Sequence, residues 1–264
     1  MPPGFEIALR LSAALFIFAA MAVWEWRLPR RRFSGRRKDR WIGNVGILAI
    51  DILAVRLIAP LAAVGAGLLA EKNGWGLLNV FDVPFWPAAV LSVIALDLTV
   101  YGQHVVFHHV PWLWRVHRMH HADVEMDVTT GLRFHPIEIL LSLAIKIAAV
   151  LALGAPALAV VVFEVLLNGT SMFNHSNVGL PPRLDRLARW FIVTPQMHEI
   201  HHSVERPETD SNFGFNLPWW DRLFGTYREK PAAGDQVVIG LPAFRDASEN
   251  KILRLLTQPF RAES

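Results

Sequence analysis

Apolar residues run through this chain in long blocks separated by short polar stretches, and the block lengths predict membrane-spanning helices. A spanning helix needs about 20 mostly apolar residues. The first block, Phe5 to Trp26, meets that length, with Trp24 and Trp26 placed as interfacial anchors. It lacks the positively charged start of a secretory signal, and Trp-Glu-Trp is a poor cleavage region, so it is expected to persist as an anchor. The second block, Trp41 to Ala70, is too long for a plain span and holds Asp51 and Arg56, which are expected to pair or to face protein. A third runs from about Phe85 to Val106 around Asp97, a fourth from about Ile137 to Leu153 around Lys146, and a shorter fifth from Ala157 to Phe173. Gly154-Ala155-Pro156 is the expected turn of a full or shallow hairpin between the last two.

Composition supports a membrane class: 53% of the 264 residues are hydrophobic, and the mean hydropathy is positive. No Pro/Gly/Ser linker or internal repeat divides the chain, which predicts a single domain over 1–264, with an N-terminal anchor and basic loop (1–40) and a C-terminal tail (228–264). In that tail Ile252, Leu253, Leu255 and Leu256 alternate with basic residues as in an interfacial or surface helix. The absence of cysteine excludes disulfides, thiolate metal sites and iron–sulfur clusters, so any metal must rest on nitrogen and oxygen.

The net charge of +3 hides an asymmetry, because Arg27 to Arg40 carries seven Arg and one Lys against one Asp. Lying between two apolar blocks, this stretch reads as a cytoplasmic loop obeying the positive-inside rule rather than as a nucleic-acid surface. Counting spans from that loop brings the end of the third, the turn after the fifth and the segments beyond it to the cytoplasmic side. All 11 histidines lie between His104 and His202 and so fall near that one face. The predicted architecture is all-α: an integral membrane bundle of about four to five embedded helices with a cytosolic, helical, histidine-rich cap.

On a helix, positions 0, +3 and +4 share one face. His117, His120 and His121 have this spacing, His198, His201 and His202 repeat it, and His104 with His108 adds an i, i+4 pair. His175 makes nine. His109 reads as an ordinary structural residue. Imidazoles clustered in this number make poor packing, because each buried ring needs partners for its nitrogens. Metal binding supplies them, and nine nitrogens exceed the needs of one ion, so two ions are the natural count. Spacing alone leaves iron, zinc, copper and nickel open. His198-Glu199-Ile200-His201-His202 also satisfies the zinc metalloprotease pattern HExxH, with Glu199 as general base. That alternative gives His201 and the histidines upstream no role. A metal transporter would want its ligands near the bilayer midplane.

Several stretches together resemble the sterol desaturase and fatty acid hydroxylase superfamily of membrane enzymes. They are His104-xxx-His108, His117-xx-His120-His121, RFHPIE (Arg133 to Glu138), NHSN (Asn174 to Asn177), TPQMHEIHHS (Thr194 to Ser203) and SNFGFNLPWWDRLFGTY (Ser211 to Tyr227). The order of boxes matches across a family core of 41–227. The resemblance implies two iron ions at the cytosolic membrane surface that activate dioxygen to hydroxylate or desaturate a lipid, with hydroxylation favoured. It assigns metal ligation to His104, His108, His117, His120, His121, His175, His198, His201 and His202. Some members carry a further histidine where this chain has Ser171, which leaves that side one imidazole short or completed by water. Metal-bound imidazoles usually donate their other N–H to a carboxylate or carbonyl, so His135, Glu138, Asp123, Asn174 and Asp221 are candidate supports of the ligands, with Asp127, Glu199 and Asp210 also near the boxes, and an ordinary solvated charge is the alternative for each carboxylate. WDRLFGT reads as a structural turn closed by Gly225. Dioxygen chemistry needs two electrons, and with no GxGxxG fingerprint, cysteine cluster or haem domain in the chain they must come from a separate electron carrier or reductase, or from a pterin.

Overall fold

The computed structural model describes residues 3–33, 37–59, 62–232, 234 and 237–263; Ser34 to Arg36 of the basic loop lie outside them. The chain forms helices α1 (Pro3–Arg27), α2 (Arg37–Ile58), α3 (Ala62–Asn73), α4 (Leu77–Val80), α5 (Phe85–His109), α6 (Pro111–His121), α7 (Pro136–Leu153), α8 (Ala157–Asn174), α9 (Pro182–Ala188), α10 (Pro195–His201), α11 (Arg206–Thr209), α12 (Trp219–Leu223) and α13 (Ile252–Thr257). Among the described residues there is no strand, only the isolated bridges Pro29/Val178 and Ser203/Ile239. Five segments are long and apolar enough to cross a bilayer: Ala8–Arg27, Arg37–Val80, Phe85–His109, Pro136–Leu153 and Ala157–Asn174. The chain is thus an all-α, multi-pass membrane protein.

The expected second span divides into α2 and α3. Asp51 and Arg56 do not pair there: Asp51 is buried against protein, whereas Arg56 is exposed. Five residues of helix separate them by about 140° of rotation, so they cannot face one partner.

Packing within the bundle centres on α8, which touches α1, α3 and α5, while α3 also lies against α7. The core there consists of Leu96, Leu143, Val150, Val160 and Phe163, with Ala63 and Ala66 letting α3 approach closely. Gly154 ends α7 at φ 71, a left-handed conformation that costs glycine little, and its successor turn launches α8. Inside the spans Glu164 binds both Arg10 (2.7 Å) and Lys146 (3.1 Å), tying α1 and α7 to α8 by charge.

One end of the bundle is polar and tightly bonded. Glu25, near the end of α1, accepts from the backbone N–H of Val128 (2.6 Å) and of Asn177 (2.8 Å). Arg40, at the start of α2, is fully buried and forms a bidentate pair with Asp123 (2.5 and 2.9 Å) and a further bond to Asp127 (2.8 Å). These contacts fasten the segments after α6 and α8 to the first two helices.

Candidate metal centre

Two short helices and two helix ends bring the histidines together. His104 and His108 occupy the last turns of α5. A single extended residue, Val110 (φ −93, ψ 116), then redirects the chain, and Pro111 opens α6 so that its first rings face those of α5. On the far side Thr194 caps α10, its hydroxyl accepting from Met197 N–H (3.3 Å), with Pro195 at the first helical position. His175 follows the end of α8.

The nine rings, all essentially buried, fall into two groups: His104, His108, His117, His121 and His201 in one, and His120, His175, His198 and His202 in the other. Within each group the ligand-capable nitrogens lie within 4.8 Å of one another. Both HxxHH boxes are divided. In α6 the rings at 0 and +4 join the first group and the ring at +3 the second; in α10 the ring at +3 joins the first and those at 0 and +4 the second. The groups adjoin, with His121 stacked on His202 at 4.5 Å between centroids and His201 stacked on His198 at 5.0 Å.

Hydrogen bonds at the outer nitrogens decide what the inner ones offer. Nδ1 of His104 donates to Phe213 O (2.7 Å), His201 to Ser211 O (2.7 Å), His120 to Arg133 O (3.1 Å) and His175 to Ser171 O (2.7 Å). A carbonyl oxygen only accepts, so in each neutral ring the single proton sits on Nδ1 and Nε2 carries a lone pair. Yet Nε2 of His104 lies 3.1 Å from Nε2 of His201, and Nε2 of His120 lies 3.0 Å from Nε2 of His175. Lone pair therefore confronts lone pair. A second proton on each ring would relieve this, but burial holds His120, His121, His198 and His202 well below the ordinary imidazole range, His175 down at about 4 and His201 at about 3. Buried, neutral nitrogens that converge without a proton between them suit a cation. Nε2 of His108, Nδ1 of His121 and of His198, and both ring nitrogens of His202 likewise have no hydrogen-bond partner.

The other residues singled out from the sequence take distinct positions. Glu138 contacts His117 Nδ1 (2.7 Å) and Asp210 contacts His108 Nδ1 (3.2 Å). Asp123 bonds to Arg40, Asn44 and Thr130 and to no histidine ring, and Asp127 also serves Arg40. Arg133, whose carbonyl holds His120, is fixed by Asn44 and Asn250 (both 3.0 Å), so this ion network supports the second group through the backbone. His135 lies outside both groups: it caps α7 by accepting from Ile137 N–H, not through Glu138, and contacts Leu256 O. Asn174 donates to Phe215 O, and Asp221 accepts from the N–H of Phe213 and Gly214. Ser171 turns its hydroxyl to Gly131 O, and its side of the cluster has four rings against five. His109 is exposed and bonds its own helix at Val105 O. Glu199, the general base of the protease alternative, has its carboxylate paired with Arg30 and Arg31. Backbone partners such as Phe213 O and Ser211 O have no sequence signal.

Spanning helices that end in a buried double cluster of histidines define a membrane protein with a candidate metal centre at one end of its bundle. The chain belongs to the fatty acid hydroxylase family, whose model matches residues 89–226. It is 31% identical over 180 residues to an ornithine lipid hydroxylase of Rhizobium tropici, an alignment covering 66% of this chain and 52% of that protein. It is 28% identical over 234 residues to an alkylglycerol monooxygenase of Xenopus tropicalis (86% and 48%) and 27% identical over 146 residues to a cholesterol 25-hydroxylase of Rattus norvegicus (54% and 47%). The chain thus spans about half the length of the curated relatives it matches. No solved structure matches it.

Proposed function

We propose that this protein is a membrane-bound non-haem di-iron oxygenase that uses dioxygen and two electrons to hydroxylate a lipid. The observation that carries this reading is the pair of buried histidine groups whose proton-free nitrogens face one another. Five and four imidazoles meet the ligand needs of two ions, with more donors in the first group than in the second. Bound iron would supply dioxygen activation and the oxidising power to break an unactivated C–H bond.

The protein's own residues prepare that chemistry. Carbonyls and the Glu138 carboxylate fix ring tautomers, and Phe213 and Phe215 press against His104 (5.5 and 5.0 Å between centroids) to keep water away from the cluster. A lipid substrate is supported by an apolar groove of about 270 Å³ between α5, α6 and α7, lined by Thr99, Gly102, Phe107, Leu113, Leu141 and Ile145. Phe107 stands between this groove and His117, 6.1 Å from that ring. The relatives' names, a lipid hydroxylase, an alkylglycerol monooxygenase and a sterol hydroxylase, favour oxygen insertion over desaturation. Electrons come from a separate carrier or reductase, or from a pterin. The cluster lies at the cytoplasmic face, in keeping with the arginine-rich loop at the same end of the bundle.

Comparison of lipid extracts from cells with and without the gene by mass spectrometry tests the activity. A gain of one oxygen that disappears in a His120→Ala, His198→Ala variant supports it. Loss of two hydrogens would replace hydroxylation by desaturation, and unchanged lipids with one zinc per purified chain would overturn the oxygenase.

A further inference from the structure

The segment from Phe213 to Thr226 runs along one stripe of α5. Asp97, Tyr101, His104 and His108 stand at 0, +4, +7 and +11 on that helix and so share a face. His108 packs on Phe213 (5.0 Å between centroids), and His104 bonds the Phe213 carbonyl. Tyr101 stacks on Phe224 (5.6 Å) and meets the Thr226 hydroxyl (2.9 Å). Asp97 accepts from Trp220 Nε1 (2.8 Å) and from Leu217 N–H (3.2 Å). The segment therefore descends from the histidines to Asp97 and climbs back. At 1.5 Å per residue its lowest point lies about 10 Å below His104 and close to the middle of α5.

We infer that the Phe213 to Thr226 segment, together with the Leu187 to Phe191 stretch that ends α9, is embedded in the hydrocarbon of the bilayer as a re-entrant element, while the exposed Arg183 and Arg186 at the start of α9 reach the interface. Irregular backbone survives at that depth only where its polar groups are satisfied, and side chains hold several of them here. Asp221 accepts from the N–H of Phe213 (2.8 Å) and Gly214 (2.9 Å), and Asp97 takes that of Leu217. Asn174 donates to Phe215 O (3.2 Å), and Asn216 O receives Val193 N–H (3.0 Å). A Cβ on Gly214 would lie 2.9 Å from both Asp221 Oδ2 and Leu217 O, so the loop is closed to any larger residue there.

The outward side of this element is apolar. Leu187, Trp190, Phe191, Trp219, Leu223 and Phe224 are each 43 to 69% exposed. Trp219 Nε1 donates to Trp190 O (2.7 Å), joining the two parts; Arg222 is sandwiched between Trp190 (4.0 Å) and Tyr227 (3.9 Å), and Arg189 is buried against Asp185 (2.7 Å). A patch of this kind marks an interaction surface. Its level on α5 makes it continuous with the lipid-facing side of the span, so acyl chains are its occupant.

The native chain has no cysteine, so single-cysteine variants of the full protein report position directly. Leu223→Cys, Phe191→Cys and Leu187→Cys, labelled with bimane and reconstituted in phosphatidylcholine nanodiscs, are compared with Lys230→Cys as an aqueous reference and Val90→Cys as a lipid reference. Replacing the lipid with a bromine-substituted acyl phosphatidylcholine should quench the three test positions as strongly as Val90→Cys and leave Lys230→Cys unchanged. Quenching at the Lys230→Cys level would overturn the inference and make the patch a protein-docking surface. Because the test positions lie on two separate parts of the element, loss of one variant to misfolding leaves the comparison intact. None of them contacts the histidines, so metal content is a control and not the readout.

Discussion

Glu138 Oε1 lies 2.7 Å from His117 Nδ1, both groups buried, and this contact joins the start of α7 to the middle of α6. The carboxylate accepts the ring proton, which leaves His117 Nε2 as the electron-pair donor directed at the first histidine group. Glu138→Gln keeps the shape and removes the charge that makes this ring a stronger donor. Iron affinity of the purified protein should fall by about 10- to 100-fold, with helix content by circular dichroism unchanged. Affinity equal to the parent would mean the contact is only structural.

His120 and His121 adjoin in sequence but belong to different groups. Removing His120 leaves three rings in its group, whereas removing His121 leaves four in the other. Since about three protein ligands are the minimum for a mononuclear site, the proposed di-iron reading predicts that iron-loaded His120→Ala loses iron on dialysis more readily than His121→Ala. Iron per chain by elemental analysis decides it, and the reverse order would contradict the grouping.

The Arg40 guanidinium is buried between Asp123 and Asp127. Arg40→Met leaves two buried carboxylates without their cation, at a cost of about 3–5 kcal/mol. Thermal unfolding in detergent should show a lowered Tm and release of the loop that carries Arg133. An unshifted Tm would mean that the carboxylates are relieved by water.

Gly102 lines the apolar groove, and a Cβ added there meets nothing within 4 Å. Gly102→Leu should therefore fold, retain its iron and obstruct the groove. Turnover of long-chain lipid should fall by about ten-fold or more, the scale of misfit in a hydrophobic pocket, while shorter chains suffer less. Equal turnover across chain lengths would remove the groove from the substrate path.

Much of this arrangement is visible in the residues. Block length marks the spans, and the HxxHH spacing marks the faces of α6 and α10 that carry rings, because periodicity is a local property. What a single helix face cannot reveal is that it serves two groups at once: rings at 0, +3 and +4 spread over about 100° of helix, wide enough to divide between neighbouring ions. Asp97 sits inside the third apolar block, and its partners Leu217 and Trp220 lie more than a hundred residues away. Similarly, Asp123 sits two residues after a histidine box yet belongs to Arg40, whose position only tertiary packing determines. Carbonyl partners are invisible in any sequence, since every residue has one.

Because α6 and α10 each present rings to both groups, a metal bound in one half would immobilise the helices that build the other. A second ion would then meet donors whose ordering has already been accomplished, a positive coupling between the two binding events that requires no change of shape. Metal should enter this protein in an all-or-none fashion, with half-loaded chains scarce throughout a titration.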